Sequence, residues 1–269
     1  LTEILDIAAE LLYNCVMAKD AINVYWSSYS TVFNFSEPKP VIDIMLKNRR
    51  DTKDIHEDPR NILACPASND FFKNLFSVNS TFPEKVVWPK GYLKEANENY
   101  ENNHGTHTEP FLLKKHFNLF DFKIVRPSSM EGYVDIEYLT SPIYFADEPL
   151  LVRFMAPNYP PTTPSPGAIL TSGQFDIGQW FRPYNLNYFI PIENTTFDIK
   201  HGDPIFYLQF LTDKKINFHK FKMTSEIYQI KNDNVVWGNK VMSLPERYDF
   251  FNKGKAKKKL LEEINKNLY

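Results

Sequence analysis

The region from Leu119 to Met223 limits what this chain can fold into more than any other. Short apolar segments follow one another there at close spacing: "FDFKIV", "YVDIEYL", "PLLVRFM", "LNYFIPI", "TTFDIK", "PIFYLQFL" and "KINFHKF". Several alternate apolar and polar residues with a period of two, and Pro, Gly, Asn or Asp separate them, as in strands joined by turns. An α-helix gains nothing from that alternation, because its faces repeat every 3.6 residues. Aromatics make up 15% of the chain, against nine Gly and nineteen Pro, a balance that suits short strands and proline-marked loops. The expected fold is therefore mainly β, with a compact antiparallel sheet system at its centre.

The flanks read differently. Ile4, Leu5, Ala8, Leu11, Leu12, Cys15 and Val16 recur at the three-and-four spacing of one helical face, with Thr2 as a cap. That predicts an N-terminal helix packed on the main body. From Val24 to about Lys115 the pattern breaks into bursts such as "PVIDIML" and "NILACP", and "KEANENYENNHGTHTEP" reads as a long exposed loop. The chain's end, "LPERYDFFNKGKAKKKLLEEINKNLY", predicts a charged helix with Leu260, Leu261, Ile264 and Leu268 on one side. "KGKAKKK" is read as its solvated face. Three parts are expected: a mixed α/β segment over 1–118, a β domain over 119–223 and an extension over 224–269.

Charge and composition narrow the functional classes. A net charge of -2 gives no global electrostatic case for nucleic acid or an anionic membrane. No apolar run reaches the roughly 18 residues of a membrane span, and "LTEILDIAAELLYNC" is acidic where a signal peptide is basic. A soluble, cytoplasmic or virion-associated protein is expected. Cys15 and Cys65 are too few for a disulfide framework, and a reducing compartment follows. Neither has a histidine or basic cluster beside it to lower its pKa, so no thiol nucleophile is expected. Phosphate-binding glycine loops and the Gly-x-Ser-x-Gly elbow are absent from the sequence.

One longer unit, "SGQFDIGQWFRPYNLNYFIPIENTTFDIKHGDPIFYLQF", carries a family likeness. Gly173, Phe175 and Asp176 match a Gly-x-Ile-Asp turn, while Ile199, Lys200, Gly202, Asp203, Ile205 and Leu208 match a Lys-Arg-Gly-Asp-Arg-Ile-Ala-Gln-Leu hairpin. Asp176 and Asp203 stand 27 residues apart, close to the family's spacing. The stretch resembles the C-terminal half of the deoxyuridine triphosphatase and deoxycytidine deaminase superfamily. The resemblance implies a β-clip or small antiparallel barrel, a homotrimer with sites between subunits, and Asp176 as the residue that would orient water, with Mg as cofactor. Several chemistry-bearing positions differ. Gln179 stands where the family has Tyr or Trp, Phe206 and Tyr207 replace Ala-Gln, and His201 and Pro204 replace the arginines that fork onto phosphate oxygens. Asp135, in "SSMEGYVDIEYL", is a fainter echo of another family motif. The surface near Asp176, Trp180, Arg182, Asp203 and Tyr207 is the expected ligand site, for a small molecule or nucleotide.

The histidines offer competing chemistry. His56 and Asp58 have the spacing of two ligands of a facial triad, His116 follows 58 residues after Asp58, and Arg126 lies ten further on. That resembles the iron and 2-oxoglutarate dioxygenases, with His56, Asp58 and His116 as metal ligands, Fe as cofactor and Arg126 on the cosubstrate. His104, His107 and Glu109 are a sparser set of zinc-type ligands. The overall expectation is binding or assembly without catalysis and without a cofactor: a trimeric structural or accessory component. A phage or viral origin fits the richness in Asn, Lys, Ile and Phe. A nucleotide enzyme using Asp176 and an iron oxygenase are the alternatives.

Overall fold

The computed structural model of the chain describes residues 21–28, 35–45, 65–81, 83–95, 122–127, 130–138, 142–159, 161–184, 186–236, 243–253 and 255–269. Lys94 and Glu95, where the polar loop was expected to begin, are helical; the expected N-terminal helix and the rest of that loop, with its histidines, lie outside these residues. So do His56, Asp58 and His116.

The molecule is mainly β, with no sheet closing on itself among the described residues. Fourteen strands are described: β1 (Ala21–Ser28), β2 (Lys39–Pro40), β3 (Leu75–Asn79), β4 (Glu84–Val87), β5 (Phe122–Pro127), β6 (Tyr133–Tyr138), β7 (Pro142–Ala146), β8 (Leu151–Met155), β9 (Ile169–Leu170), β10 (Gly173–Asp176), β11 (Leu186–Pro191), β12 (Thr196–Ile199), β13 (Pro204–Phe210) and β14 (Lys215–Lys220). They form a five-stranded sheet in the order β10-β8-β13-β3-β2, a four-stranded sheet β5-β6-β11-β9, a three-stranded sheet β14-β1-β7 and the pair β12-β4. All pairings are antiparallel except β1 with β14. Among the described residues the helices include α1 (Pro66–Phe72), α2 (Ser225–Val236), α3 (Leu244–Lys253) and α4 (Ala256–Lys266), and residues 41–45 and 92–95 are helical as well.

The alternation in the sequence becomes the core. On β11, Leu186, Tyr188 and Ile190 are buried while Asn187, Phe189 and Pro191 face the other way. They join Val134, Ile136, Val152, Phe175, Phe206 and Leu208 in one large cluster. A second cluster sits between the outer face of the β14-β1-β7 sheet and the helices, where Tyr25, Ile143 and Phe145 meet Phe221, Phe251, Leu260 and Ile264.

Three local features depart from the expectations. The Phe197–Phe210 stretch is a corner between sheets and not a hairpin: β12 pairs with β4, whereas β13 pairs with β3 and β8. At the corner Gly202 takes φ 87°, a conformation open to a residue without Cβ, and the Lys200 N–H donates to Asp203 Oδ2 at 2.9 Å. The C-terminal helix forms as expected, but it ends at Lys266, so Leu268 leaves its apolar stripe and bridges to Phe221. β1 lies in a stretch without a strand signal in the sequence, yet it is the middle strand of its sheet. The expected boundary at 118 falls outside the described residues, and strands before it pair with strands after it in three of the four sheets.

Candidate functional site

The turn after β10 holds the first of the expected site residues. Asp176 is buried, and its carboxylate binds the segment that leads into β8: Oδ1 accepts from the N–H of Leu150 at 2.9 Å and of Gly178 at 2.9 Å. Oδ2 accepts from Gln179 Nε2 at 2.6 Å. Gly178 is required here, because a Cβ on it would lie 1.9 Å from the carbonyl oxygen of Glu148. Helices α3 and α4 fasten the turn from outside. The Asp176 N–H donates to the Tyr248 hydroxyl at 2.7 Å, Asn252 Nδ2 to Gln179 Oε1 at 3.3 Å, and Lys257 Nζ to the Gly178 carbonyl at 2.8 Å.

Beyond the turn the chain runs alongside β7, with Pro183 bridged to Ile143. Residues alternate there as in a strand: Phe181 enters the second core cluster, while Trp180 and Tyr184 enter the first. Arg182 shares their side, its guanidinium carbon 4.6 Å from the centre of the Trp180 ring. Arg247, from α3, approaches the same ring at 5.3 Å. Cations are drawn to an indole face by its quadrupole. Phe175 packs edge-on against Trp180, and Tyr144 edge-on against Tyr184.

The polar atoms of this group are mostly unengaged. Trp180 is 8% exposed, and among the described residues its Nε1 has no hydrogen-bond partner; the buried hydroxyls of Tyr144 and Tyr184 have none there either. Arg182 spends its Nε on the Pro183 carbonyl at 3.1 Å, and no described residue receives its two terminal nitrogens. Burial pushes the Arg182 pKa down; the nearby charge of Glu137 opposes that shift and Arg247 adds to it. Burial holds the Tyr184 and Tyr144 hydroxyls well above the ordinary tyrosine range, with the Tyr144 hydroxyl adding to the effect on Tyr184. Unpartnered buried donors are rare enough in folded proteins to need an explanation.

The other expected residues lie apart. Tyr207 is on the same sheet as Asp176 but opposite Met155, whereas Asp176 is opposite Leu151. Four residues of β8 separate them, about 13 Å at a strand's rise. The Tyr207 hydroxyl accepts from the Tyr159 N–H at 3.0 Å and donates to the Tyr159 carbonyl at 2.5 Å. Asp203 serves the corner turn, and Asp135 lies on β6 opposite Phe189. Arg126 stands opposite Asp135 in the backbone register of β5 and β6, with His116 outside the described residues.

Glu137, Tyr144, Tyr184, Arg247 and Tyr248 were not visible as site residues in the sequence. Tyr184 alone had a local signal, standing two residues beyond Arg182 and four beyond Trp180 in an extended run. Cys65 lies exposed just before α1, where the Ser68 backbone N–H, the Ser68 hydroxyl and the Ala67 N–H draw its pKa down, a source other than the histidine or basic cluster sought in the sequence. Among the described residues no group of three or more His, Cys, Asp or Glu could hold a metal ion, and no helix is long and apolar enough to cross a membrane. Comparison with protein-family models, with curated proteins and with solved structures finds no match for this chain.

Proposed function

We propose that this protein is a binding component without catalysis of its own, and that it holds a small anionic ligand at Arg182. The observation that carries this reading is a half-buried guanidinium with both terminal nitrogens unengaged, beside the unpartnered Trp180 Nε1 and Tyr184 hydroxyl. All are hydrogen-bond donors, the tyrosine hydroxyl being able to accept as well. A guanidinium with both terminal nitrogens open suits an oxyanion, to which it offers two parallel N–H bonds.

Asp176 supports the non-catalytic half of the proposal. A general base must reach the proton it abstracts, and this carboxylate already accepts two backbone N–H groups and one side-chain amide. It acts in this reading as the staple of the turn that presents Trp180 and Arg182. The replacement of the family's arginines by His201 and Pro204 points the same way.

The test is calorimetric titration of the full chain with acetate, benzoate, inorganic phosphate and sulfate. At least one anion binds, and Arg182→Lys, which loses the fork, weakens it about tenfold, or roughly 1.4 kcal/mol. No binding by any of the four, or equal binding to an Arg182→Met variant, overturns the proposal. Hydrolysis or deamination of a deoxynucleoside triphosphate that disappears in Asp176→Asn would return the enzyme reading. The accessory role also carries the trimer implied by the family resemblance. Sedimentation at micromolar concentration gives three times the chain mass if that holds, and the mass of one chain removes it.

A further inference from the structure

We infer that Arg247 is the second cation of the anion site at Arg182, so that α3 must lie docked for the anion to be held at full strength; this rests on the anion-binding reading just given. The geometry is set by one ring. The Arg182 and Arg247 guanidinium carbons lie 4.6 and 5.3 Å from the centre of the Trp180 indole, so they stand no more than about 10 Å apart. An oxyanion between two guanidinium groups, with charge-assisted bonds of about 2.8 Å to each, keeps their carbons about 8 Å apart. A gap of that order is one that a single oxyanion spans. Trp180 Nε1, buried and without a partner among the described residues, adds a donor on the same ring. The local charge agrees with this arrangement: the charges acting on Arg182 are one carboxylate, Glu137, and one further cation, Arg247. With Arg182 itself that makes two positive charges to one negative, an excess that a bound oxyanion relieves.

Arg247 reaches the ring only through α3, and the apolar hold of α3 on the body is slight. Of its ten residues Phe251 alone is fully buried, edge-on to Phe145. Its other ties to the turn are polar: the Tyr248 hydroxyl accepts from the Asp176 N–H, and Asn252 donates to Gln179. The neighbouring α4 buries both Leu260 and Ile264. A segment with few buried apolar contacts opens locally at less cost than the whole molecule unfolds. An anion bonded to Arg247 binds the docked form of α3 better than the open one, and by linkage it holds α3 down.

The test repeats the titrations with acetate, benzoate, inorganic phosphate and sulfate on full-length Arg247→Gln. In parallel, amide exchange in α3 and α4 of the unaltered protein is followed with and without each anion. Every anion that binds the parent is expected to bind Arg247→Gln at least about tenfold more weakly, the step of one charge-assisted hydrogen bond. The same anions should slow exchange in α3 more than in α4, which an Arg247 that merely steadied the fold would not produce. Equal binding by Arg247→Gln overturns the inference and leaves anion binding at Arg182 standing. Slowing in α3 no greater than in α4 overturns it as well. Should Arg247→Gln fail to fold, Arg247→Lys, which keeps the charge and loses the fork, takes its place, and the exchange readout on the unaltered protein still decides. No binding by any of the four anions overturns the anion-binding reading itself, and this inference with it.

Discussion

Asp176 and Gly178, two positions apart, each fix this turn in a different way. Replacing Asp176 by Ala strands the N–H groups of Leu150 and Gly178, each bonded to the carboxylate at 2.9 Å. A buried donor left without a partner costs about 1–3 kcal/mol. Asp176→Ala is therefore expected to lower the urea midpoint clearly, and Asp176→Asn, which keeps an acceptor, to lower it less. Equal stability of the Ala variant and the parent would show that the carboxylate is no staple. Gly178→Ala should be at least as damaging, because its Cβ meets the backbone of Glu148 and Pro149 and no side chain can turn aside to make room. Asp176 was conspicuous in the sequence because turn chemistry is local: a Gly, an Asp and another Gly stand within six residues. The residues around Trp180, Arg182 and Tyr184 were not, since Arg247, Glu137 and Tyr144 come from α3, β6 and β7. Nothing in "LPERYDFF" distinguishes Arg247 from any surface arginine until α3 is placed.

Among the elements, α4 was legible and β1 was not, for opposite reasons. The α4 helix buries one stripe, so Leu260 and Ile264, four apart, are fully covered while Lys258, Lys259 and Glu262 stay outside. That is the pattern a helical period reveals. Leu260→Ala should cost about 2–5 kcal/mol in chemical denaturation, the range for deleting a buried leucine. Leu268→Ala should cost under ~1 kcal/mol, as its side chain lies beyond the helix end and is 42% exposed. Equal losses would mean that the stripe continues as the sequence alone suggested. In β1 both faces are covered: Val24 and Trp26 enter the first core cluster, and Tyr25 the second. A strand buried on both sides loses the apolar-polar alternation that marks half-buried ones, so "AINVYWSS" carried no period-two signal.

At the scale of the whole molecule, the sheets join parts of the chain that composition had set apart. β1 lies between β14 and β7, β3 between β13 and β2, and β4 against β12. The mainly β character was readable from local alternation. These long-range pairings were not, since register between distant strands leaves no trace in either strand alone. The consequence is cooperativity. Trp26, on β1, and Trp180 belong to the same core cluster, so an unfolding step that removes β1 opens the core holding both. Chains of this length often unfold in stages when they contain independent units. Here urea unfolding followed by tryptophan fluorescence is expected to coincide with that followed by far-UV circular dichroism, in one transition. Trp26→Phe should leave that coincidence intact, because the remaining indoles report the same event. Two separated transitions, the earlier one lost in Trp26→Phe, would mean that the segment before residue 118 opens on its own. The β1-β14 pairing would then be a docking contact between two units instead of part of one core.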